Sequence, residues 1–290
     1  LARRDGGFLL GLLDDLRGVS ARLRLYVQSL VAIGLVALGY GPSLAFLPSW
    51  LAGAIGVLWI VGVTNAFNLL DGLDGLAAGV ALVGILALLT IMGLSDQPNV
   101  VLLSAAMAGT LLGFLRYNAP PAKVFLGSSG SLLIGYLMAM ATLLLTFGAG
   151  PMKNSLASIF TPLFVVAIPL YDTASVILLR LREGRAITQA DQNHFHHRLL
   201  RIGFSQRQAV AFICLAAFAV ALSAVRLVQA TPRGSVVILV QIGALLSMLI
   251  LAERAALRLA PKAVAALSRR PTLEIPNMDP RPEESAEKNR

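Results

Sequence analysis

Charge is scarce in this chain. Asp, Glu, Lys and Arg make up 13% of its 290 residues, while 57% are hydrophobic and the mean hydropathy is +0.76. A soluble globule usually carries about 25% charged residues. The deficit therefore excludes water as the solvent of most of the surface. Cysteine is nearly absent as well. Cys214 stands alone, which excludes an intramolecular disulfide and any cysteine-built metal site, and its apolar setting reads as that of a small buried hydrophobe. The short alternating strands of a membrane barrel are missing, and so are tandem repeats and a signal peptide. The chain starts at Leu1 rather than Met, and the apolar run in LARRDGGFLLGLLDD is too short to span a bilayer, as expected of a fragment or an unusually short gene product.

What the chain has in abundance is long apolar runs. Eight are visible, at 26–45, 49–66, 76–94, 100–116, 131–148, 156–179, 208–228 and 234–252. Each is long enough to cross ~30 Å of hydrocarbon. Backbone polar groups in lipid must be satisfied within their own segment, so the runs are expected to be helices. The expected fold is an all-α, polytopic integral membrane protein with about eight transmembrane helices over residues 1–252. Residues 253–290 read as a tail that begins as a basic amphipathic helix on anionic lipid and ends disordered.

The net charge of +9 would suggest nucleic acid in a soluble protein. Here the distribution of cations follows the positive-inside rule instead, so no nucleic-acid partner is expected. Arg17, Arg22, Arg24, Arg116, Lys123, Arg180, Arg182, Arg185, Arg198, Arg201 and Arg207 fall in alternate loops. Loops 40–48, 95–99, 149–155 and 229–234 are poor in cations and are expected outside. The rich loops and both chain ends are then cytoplasmic.

The unusual polar residues gather in those rich loops. NAFNLLDGLDGLAAG, residues 65–79, places Asn65, Asn68, Asp71 and Asp74 at the junction of two apolar runs. Acids at the edge of a membrane helix are costly to desolvate, so they mark a functional site by default. Asp71 and Asp74 share a face if that turn is helical, and two such charges call for a cation or a donor between them. LLDDLRGVSARLRL, residues 12–25, carries the adjacent pair Asp14 and Asp15. Such a pair suits a hard cation or a base with its orienter, and an ordinary charged loop is the plain alternative. RYNAPPAKVFLGSSGSLLIGY, residues 116–136, sets Lys123 before a Gly/Ser turn that opens a helix, where free N–H groups favour anions. Finally, His194, His196 and His197 lie within four residues and run straight into Arg198 and Arg201. On a helix His194, His197, Arg198 and Arg201 form one face suited to phosphate oxygens, with His196 pointing away. Zinc would need more ligands than Asp191 and this cluster supply.

The segments GLLDDLRG, NAFNLLDGLDGL, KVFLGSSGSLLIGY, PLYDT and HFHHRLLRIGFSQRQAV resemble, in order and in placement, the polyprenyl-phosphate N-acetylhexosaminyl-1-phosphate transferase family. This is glycosyltransferase family 4, the WecA/TagO/MraY group, and the H-x-H-H and PLYDT forms are similar to its WecA/TagO branch. The resemblance implies a multi-pass protein of the bacterial inner membrane that moves an N-acetylhexosamine-1-phosphate from a UDP-sugar to undecaprenyl or another polyprenyl phosphate. UMP is released and a cell-envelope glycopolymer, such as lipopolysaccharide, is begun. It implies Mg²⁺, with Mn²⁺ as an alternative, membrane lipid as a partner, and allows a homodimer. Carried over by residue, it implies catalytic roles for Asp14, Asp15, His196 and His197. It implies substrate contacts for Asn65, Asn68, Asp74, Lys123, His194 and Arg198, and metal contacts for Asp71, Asp74 and the position of Ser128. Two departures stand out. Ser128 occupies the place of a metal-binding Asp in the family, and serine is a poorer Mg²⁺ ligand; helices that precede the acidic pair in the family are absent. They motivate a second reading, an impaired homologue that binds nucleotide sugar or prenyl phosphate without turnover. A transporter is a third, but it expects polar residues near mid-membrane and an inverted repeat.

Overall fold

The structure is a computed structural model and describes Asp15 and residues 19–42, 47–93, 98–147, 156–184 and 194–268. Asp14, Arg17, Arg185, Asp191 and the polar end of the tail lie outside the described residues. Every regular element among the described residues is a helix. Helix α1 (Ala21–Leu35) is capped by the Ser20 hydroxyl, which accepts from Leu23 N at 3.3 Å, and it widens into a π turn over Val36–Tyr40. There follow α2 (Ser49–Leu70), α3 (Leu76–Gly93), α4 (Pro98–Asn118), α5 (Gly127–Phe147), α6 (Leu156–Val165), α7 (Ala167–Arg182), α8 (Phe195–Arg201), α9 (Gln206–Val228) and α10 (Pro232–Ser268). Among the described residues seven helices are long and apolar enough to cross a membrane. The protein is an all-α, multi-pass membrane protein.

The sixth expected span, 156–179, is the exception. It is broken at Val166 (φ −110°, ψ 22°) into α6 and α7. Pro169 has no N–H to give the Val165 carbonyl and its ring crowds that carbonyl, so the helix cannot run through. The break re-aims α7 and with it the polar residues that α7 carries toward α8. The tail boundary behaves in the opposite way, since α10 runs unbroken from Pro232 through Glu253 to Ser268.

α3 is apolar on every side and occupies the middle of the bundle, with α4, α5 and α9 packed around it. Val80, Ala81, Ile85, Leu88 and Met92 are almost fully buried there. The tightest helix pair is α2 with α5. A Cβ on Gly135 would stand 2.7 Å from the Thr64 carbonyl oxygen, so only glycine lets these backbones approach, as small residues do between membrane helices. Trp59 Nε1 donates to Thr142 Oγ1 at 3.0 Å across the same interface. Large apolar side chains that remain exposed, such as Leu102, Leu215, Val237 and Met248, form the surface expected to meet lipid.

Candidate active site

The described polar motifs converge on one end of the bundle. Asp15 reaches the N-terminus of α5, where its Oδ1 accepts from Ser128 N at 2.8 Å and its Oδ2 from Ser129 N at 3.0 Å. The Ser129 hydroxyl also donates to Oδ2. The first N–H groups of a helix lack partners within the helix and carry its positive end. The Gly/Ser turn expected to hold an external anion is therefore filled by the chain's own carboxylate. Slight burial raises the Asp15 pKa, but the hydrogen bonds from Ser129 and Ser128 outweigh it and leave the carboxyl below its ordinary value. Ser128 lies in the first turn of α5 beside that carboxylate.

The elbow between α2 and α3 is a turn over 71–75, not a helix. The shared helical face expected for Asp71 and Asp74 is thus corrected: α2 ends at Leu70, and Asp71 takes φ −76°, ψ 53° at its C-cap. The two acids still lie close enough to repel. Burial, then the charge of Asp15, then that of Asp74 push the Asp71 pKa up to about 6. Asp74 is anchored, since its Oδ2 accepts from Ala122 N at 3.0 Å. The neighbouring Gly75 N donates to Asn118 Oδ1 at 2.9 Å, and Asn118 Nδ2 donates to the Val124 carbonyl at 2.8 Å. These bonds lace the elbow to the loop that carries Lys123, whose side chain is exposed. The two amides serve helix packing. Asn68 Nδ2 donates to Ser131 Oγ at 2.8 Å, tying α2 to α5, and Asn65 Nδ2 donates to Gln28 Oε1 at 2.5 Å, tying α2 to α1. Asp71 differs from all of these. It is half-buried and has no hydrogen-bond donor among the described residues.

The histidines depart from the expected arrangement. His194 is the N-cap of α8 in extended conformation (φ −63°, ψ 152°), so it is not on the helical face that holds His197 and Arg198. His196, off the face of His197 and Arg198, is buried. It is 1% exposed and packs on the elbow, where a Cβ on Gly72 would stand 2.1 Å from His196 Nε2. Gly72 is thus required by close approach of the ring. Neither ring nitrogen of His196 has a hydrogen-bond partner among the described residues. Burial, then the neighbouring His197, lowers its pKa to about 4, which keeps the ring neutral at neutral pH. His197 packs beside it, with ring centroids 4.3 Å apart, and its pKa is also lowered, by burial and then by His194 and Arg201.

Two residues absent from the expected site hold the histidine helix in place. Asp172 on α7 is fully buried; its Oδ2 lies 2.9 Å from His194 Nδ1 and its Oδ1 accepts from Phe195 N at 2.5 Å. Glu253 on α10 pairs with Arg198 and accepts from the Tyr171 hydroxyl at 2.6 Å. Arg198 also donates to Ser175 Oγ at 2.9 Å. An acid inside an apolar run was the available signal for Asp172. Glu253 had none, because it stands where the last run meets the tail.

The donor set fits a hard dication. Asp71 and Asp74 lie close enough for their charges to interact, and Asp71 has no compensating donor among the described residues. Among the described residues no three His, Cys, Asp or Glu side chains form a closed metal cluster, as zinc would require. Mg²⁺ has no such need, because it is commonly bound by one or two carboxylates, waters and substrate phosphates.

Comparison with known proteins gives a consistent set of relatives. Residues 6–146 match the family described as "Glycosyl transferase family 4". The chain is 38% identical over 233 residues to a "Probable undecaprenyl-phosphate N-acetylglucosaminyl 1-phosphate transferase" of Bacillus subtilis (strain 168), covering 77% of this chain and 63% of that protein. It is 33% identical over 221 residues to an "Undecaprenyl-phosphate alpha-N-acetylglucosaminyl 1-phosphate transferase" of Escherichia coli (strain K12), covering 72% and 59%. A "Decaprenyl-phosphate N-acetylglucosaminephosphotransferase" of Mycobacterium tuberculosis is 37% identical over 148 residues, covering 48% and 36%. The chain therefore spans less than two thirds of the length of these relatives.

Proposed function

We propose that this chain, whose residues 6–146 match glycosyl transferase family 4, transfers N-acetylglucosamine-1-phosphate from a UDP-sugar to undecaprenyl phosphate or a related polyprenyl phosphate. An oxygen of the acceptor phosphate attacks the β-phosphorus of the donor, the bond from that phosphorus to the bridging oxygen breaks, and UMP leaves with that oxygen. The observation that carries this reading is the half-buried Asp71, without a hydrogen-bond donor among the described residues, beside Asp15 and Asp74 and one residue from the glycine on which neutral His196 packs. A carboxylate held in that state calls for a cationic ligand, and the adjoining imidazole still has hydrogen-bonding capacity to give.

Asp71 and Asp74, with the position of Ser128, would hold Mg²⁺, which would supply charge neutralisation for the phosphates and the leaving UMP. The chain's residues do the rest. The acceptor phosphate has a second pKa of about 6, so it is a ready nucleophile at neutral pH and needs orientation more than activation. Asp14 and Asp15 supply that orientation, Asp15 from a position fixed by Ser128 and Ser129. His196, being neutral, offers a ring nitrogen to a phosphate oxygen or a bridging water without adding a charge that Mg²⁺ would oppose. His197, on the open side of the pair, makes the corresponding contact nearer to solvent. Lys123 is exposed on the loop laced to the elbow and serves to attract the donor's anionic end. The site and both chain ends face the cytoplasm of a bacterial inner membrane, by the placement of the cations.

The test is reconstitution of the purified protein with radiolabelled UDP-N-acetylglucosamine, undecaprenyl phosphate and Mg²⁺, alongside Ser128→Asp. Lipid-linked product and stoichiometric UMP from the unaltered chain support the proposal. Product from Ser128→Asp alone would replace it with the reading of an impaired homologue, and product from neither protein would overturn it.

A further inference from the structure

A second polar feature lies on the outer side of α7, apart from the carboxylates and the imidazoles. α7, α8 and α10 enclose a cleft of about 600 Å³. Its walls are apolar, from Leu178 and Leu179 on α7 and Ile250 on α10, and its rim carries Arg182, Arg198 and Arg254. The stripe of α7 that faces the cleft (Tyr171, Ser175, Leu178, Arg182) is distinct from the buried stripe (Ile168, Asp172, Val176, Arg180) that faces the bundle. The cleft is thus open to the surroundings of the bundle.

The three arginines are not equivalent. Arg198 is committed to Glu253 and Ser175. Arg182 and Arg254 are exposed and have no ion-pair partner among the described residues. With Glu253 as the one acid on the rim, the cleft carries an excess of two positive charges. Their height is set by the helices. Arg182 ends α7 and Arg254 falls at the end of the apolar stretch Pro232–Ala255. The guanidinium groups therefore stand at the level of phospholipid headgroups, while the leucines and Ile250 lie at the level of acyl chains.

We propose that this cleft is a binding site for one anionic phospholipid, with its phosphodiester between Arg182 and Arg254 and an acyl chain along Leu178, Leu179 and Ile250. Two exposed guanidinium forks match a phosphodiester better than point charges do. A zwitterionic lipid is disfavoured, because its headgroup cation would meet the same arginines. By occupying the space between α7 and α10, the lipid clamps the helix that carries Glu253 against the helix that carries Asp172. The assignment does not depend on the transferase reading.

The experiment compares the detergent-purified protein with its double variant Arg182→Gln/Arg254→Gln. Unfolding midpoints are measured with added phosphatidylglycerol, phosphatidylcholine or inorganic phosphate, and lipid retention is measured by native mass spectrometry with undecaprenyl phosphate as competitor. For the unaltered protein, phosphatidylglycerol raises the midpoint by several degrees and is retained at one per chain, while phosphatidylcholine and inorganic phosphate do neither. The double variant has the same midpoint without lipid, which shows that it folds, and binds phosphatidylglycerol roughly thirtyfold more weakly. Equal responses of the two proteins would overturn the site, and so would a double variant that fails to reach the lipid-free midpoint. A midpoint shift with inorganic phosphate alone would make it a free-anion site. Stoichiometric displacement of phosphatidylglycerol by undecaprenyl phosphate would make it the acceptor's groove.

Discussion

Two groups of buried or half-buried charges sit side by side at one end of this bundle, and they are built on opposite principles. Around the elbow, Asp71 lies near the charges of Asp15 and Asp74 with no donor among the described residues, and its carboxyl is pushed up to about 6. Around α8, every buried charge has an internal answer: Asp172 with His194 and the Phe195 N–H, Glu253 with Arg198 and Tyr171. An unanswered carboxylate costs stability and gains it back only with a ligand. An answered one is already at its minimum and fixes geometry. The difference separates the place where chemistry is expected from the frame that aims it.

Substitution of Asp71 is the harshest way to break the comparison. Asp71→Asn should lower the transfer rate by about 10³-fold, the order expected when the site loses a ligand for the cation that would neutralise transition-state charge, while the unfolding midpoint at neutral pH holds or rises because a repelled charge is gone. A loss of stability instead would place Asp71 in the frame. Next in size, Glu253→Ala and Asp172→Ala should each destabilise the protein by about 3–5 kcal/mol, because each leaves a buried partner unpaired. Thermal unfolding reads this directly. Activity should fall with the folded fraction, and a midpoint unchanged by either variant would contradict the frame.

A pH titration sharpens the contrast. Asp71 has a folded pKa raised from 3.8 to about 6, so its contribution to stability is present below the unfolded value and is lost as pH rises through about 6. His196 has a folded pKa lowered from 6.5 to about 4, so its contribution is present above 6.5 and is lost as pH falls through about 4. Between about 4 and 6 the two oppose each other. Relative to the unaltered protein, Asp71→Asn should lose midpoint more steeply on acidification, and His196→Asn should gain it. Parallel curves for all three proteins would remove both assignments. The smallest effect belongs to Ser128→Asp. A carboxylate in the first turn of α5 gains from the helix dipole but meets Asp15, so stability should change by less than about 1 kcal/mol. The Mg²⁺ concentration giving half-maximal transfer should fall several-fold, and an unchanged value would show that position 128 does not reach the metal.

Much of the site was legible because polar residues in an apolar chain are conspicuous. The elbow acids, the Gly/Ser turn and the histidine cluster each stood out against their runs, and the structure brings Asp15, Asp71 and His196 together. Their roles within the group were harder to read. The Gly/Ser turn looked open to an anion, yet Asp15 fills it, because a partner 113 positions away in sequence leaves no local trace. His196 was read as pointing away from the face of the other histidines, and what it packs on, Gly72 of the elbow, left no trace in the sequence. Glu253 was read as the start of a tail, yet it completes the frame through Arg198.

By itself the sequence determined that the chain is helical and spans a membrane, since lipid leaves an unpaired backbone no other outlet. It also determined which end of the bundle carries the polar chemistry, since, apart from Asn65 and Asp172, the acids, amides and imidazoles of the site fall between the apolar runs. Only the tertiary structure decided which of those groups answer one another and which are left waiting. That depends on approaches of a few ångströms between α2, α5, α7, α8 and α10, and on the break at Val166 that sets the direction of α7. Hydrogen bonds and charge pairs at that range are fixed by packing across elements and leave no period in the chain.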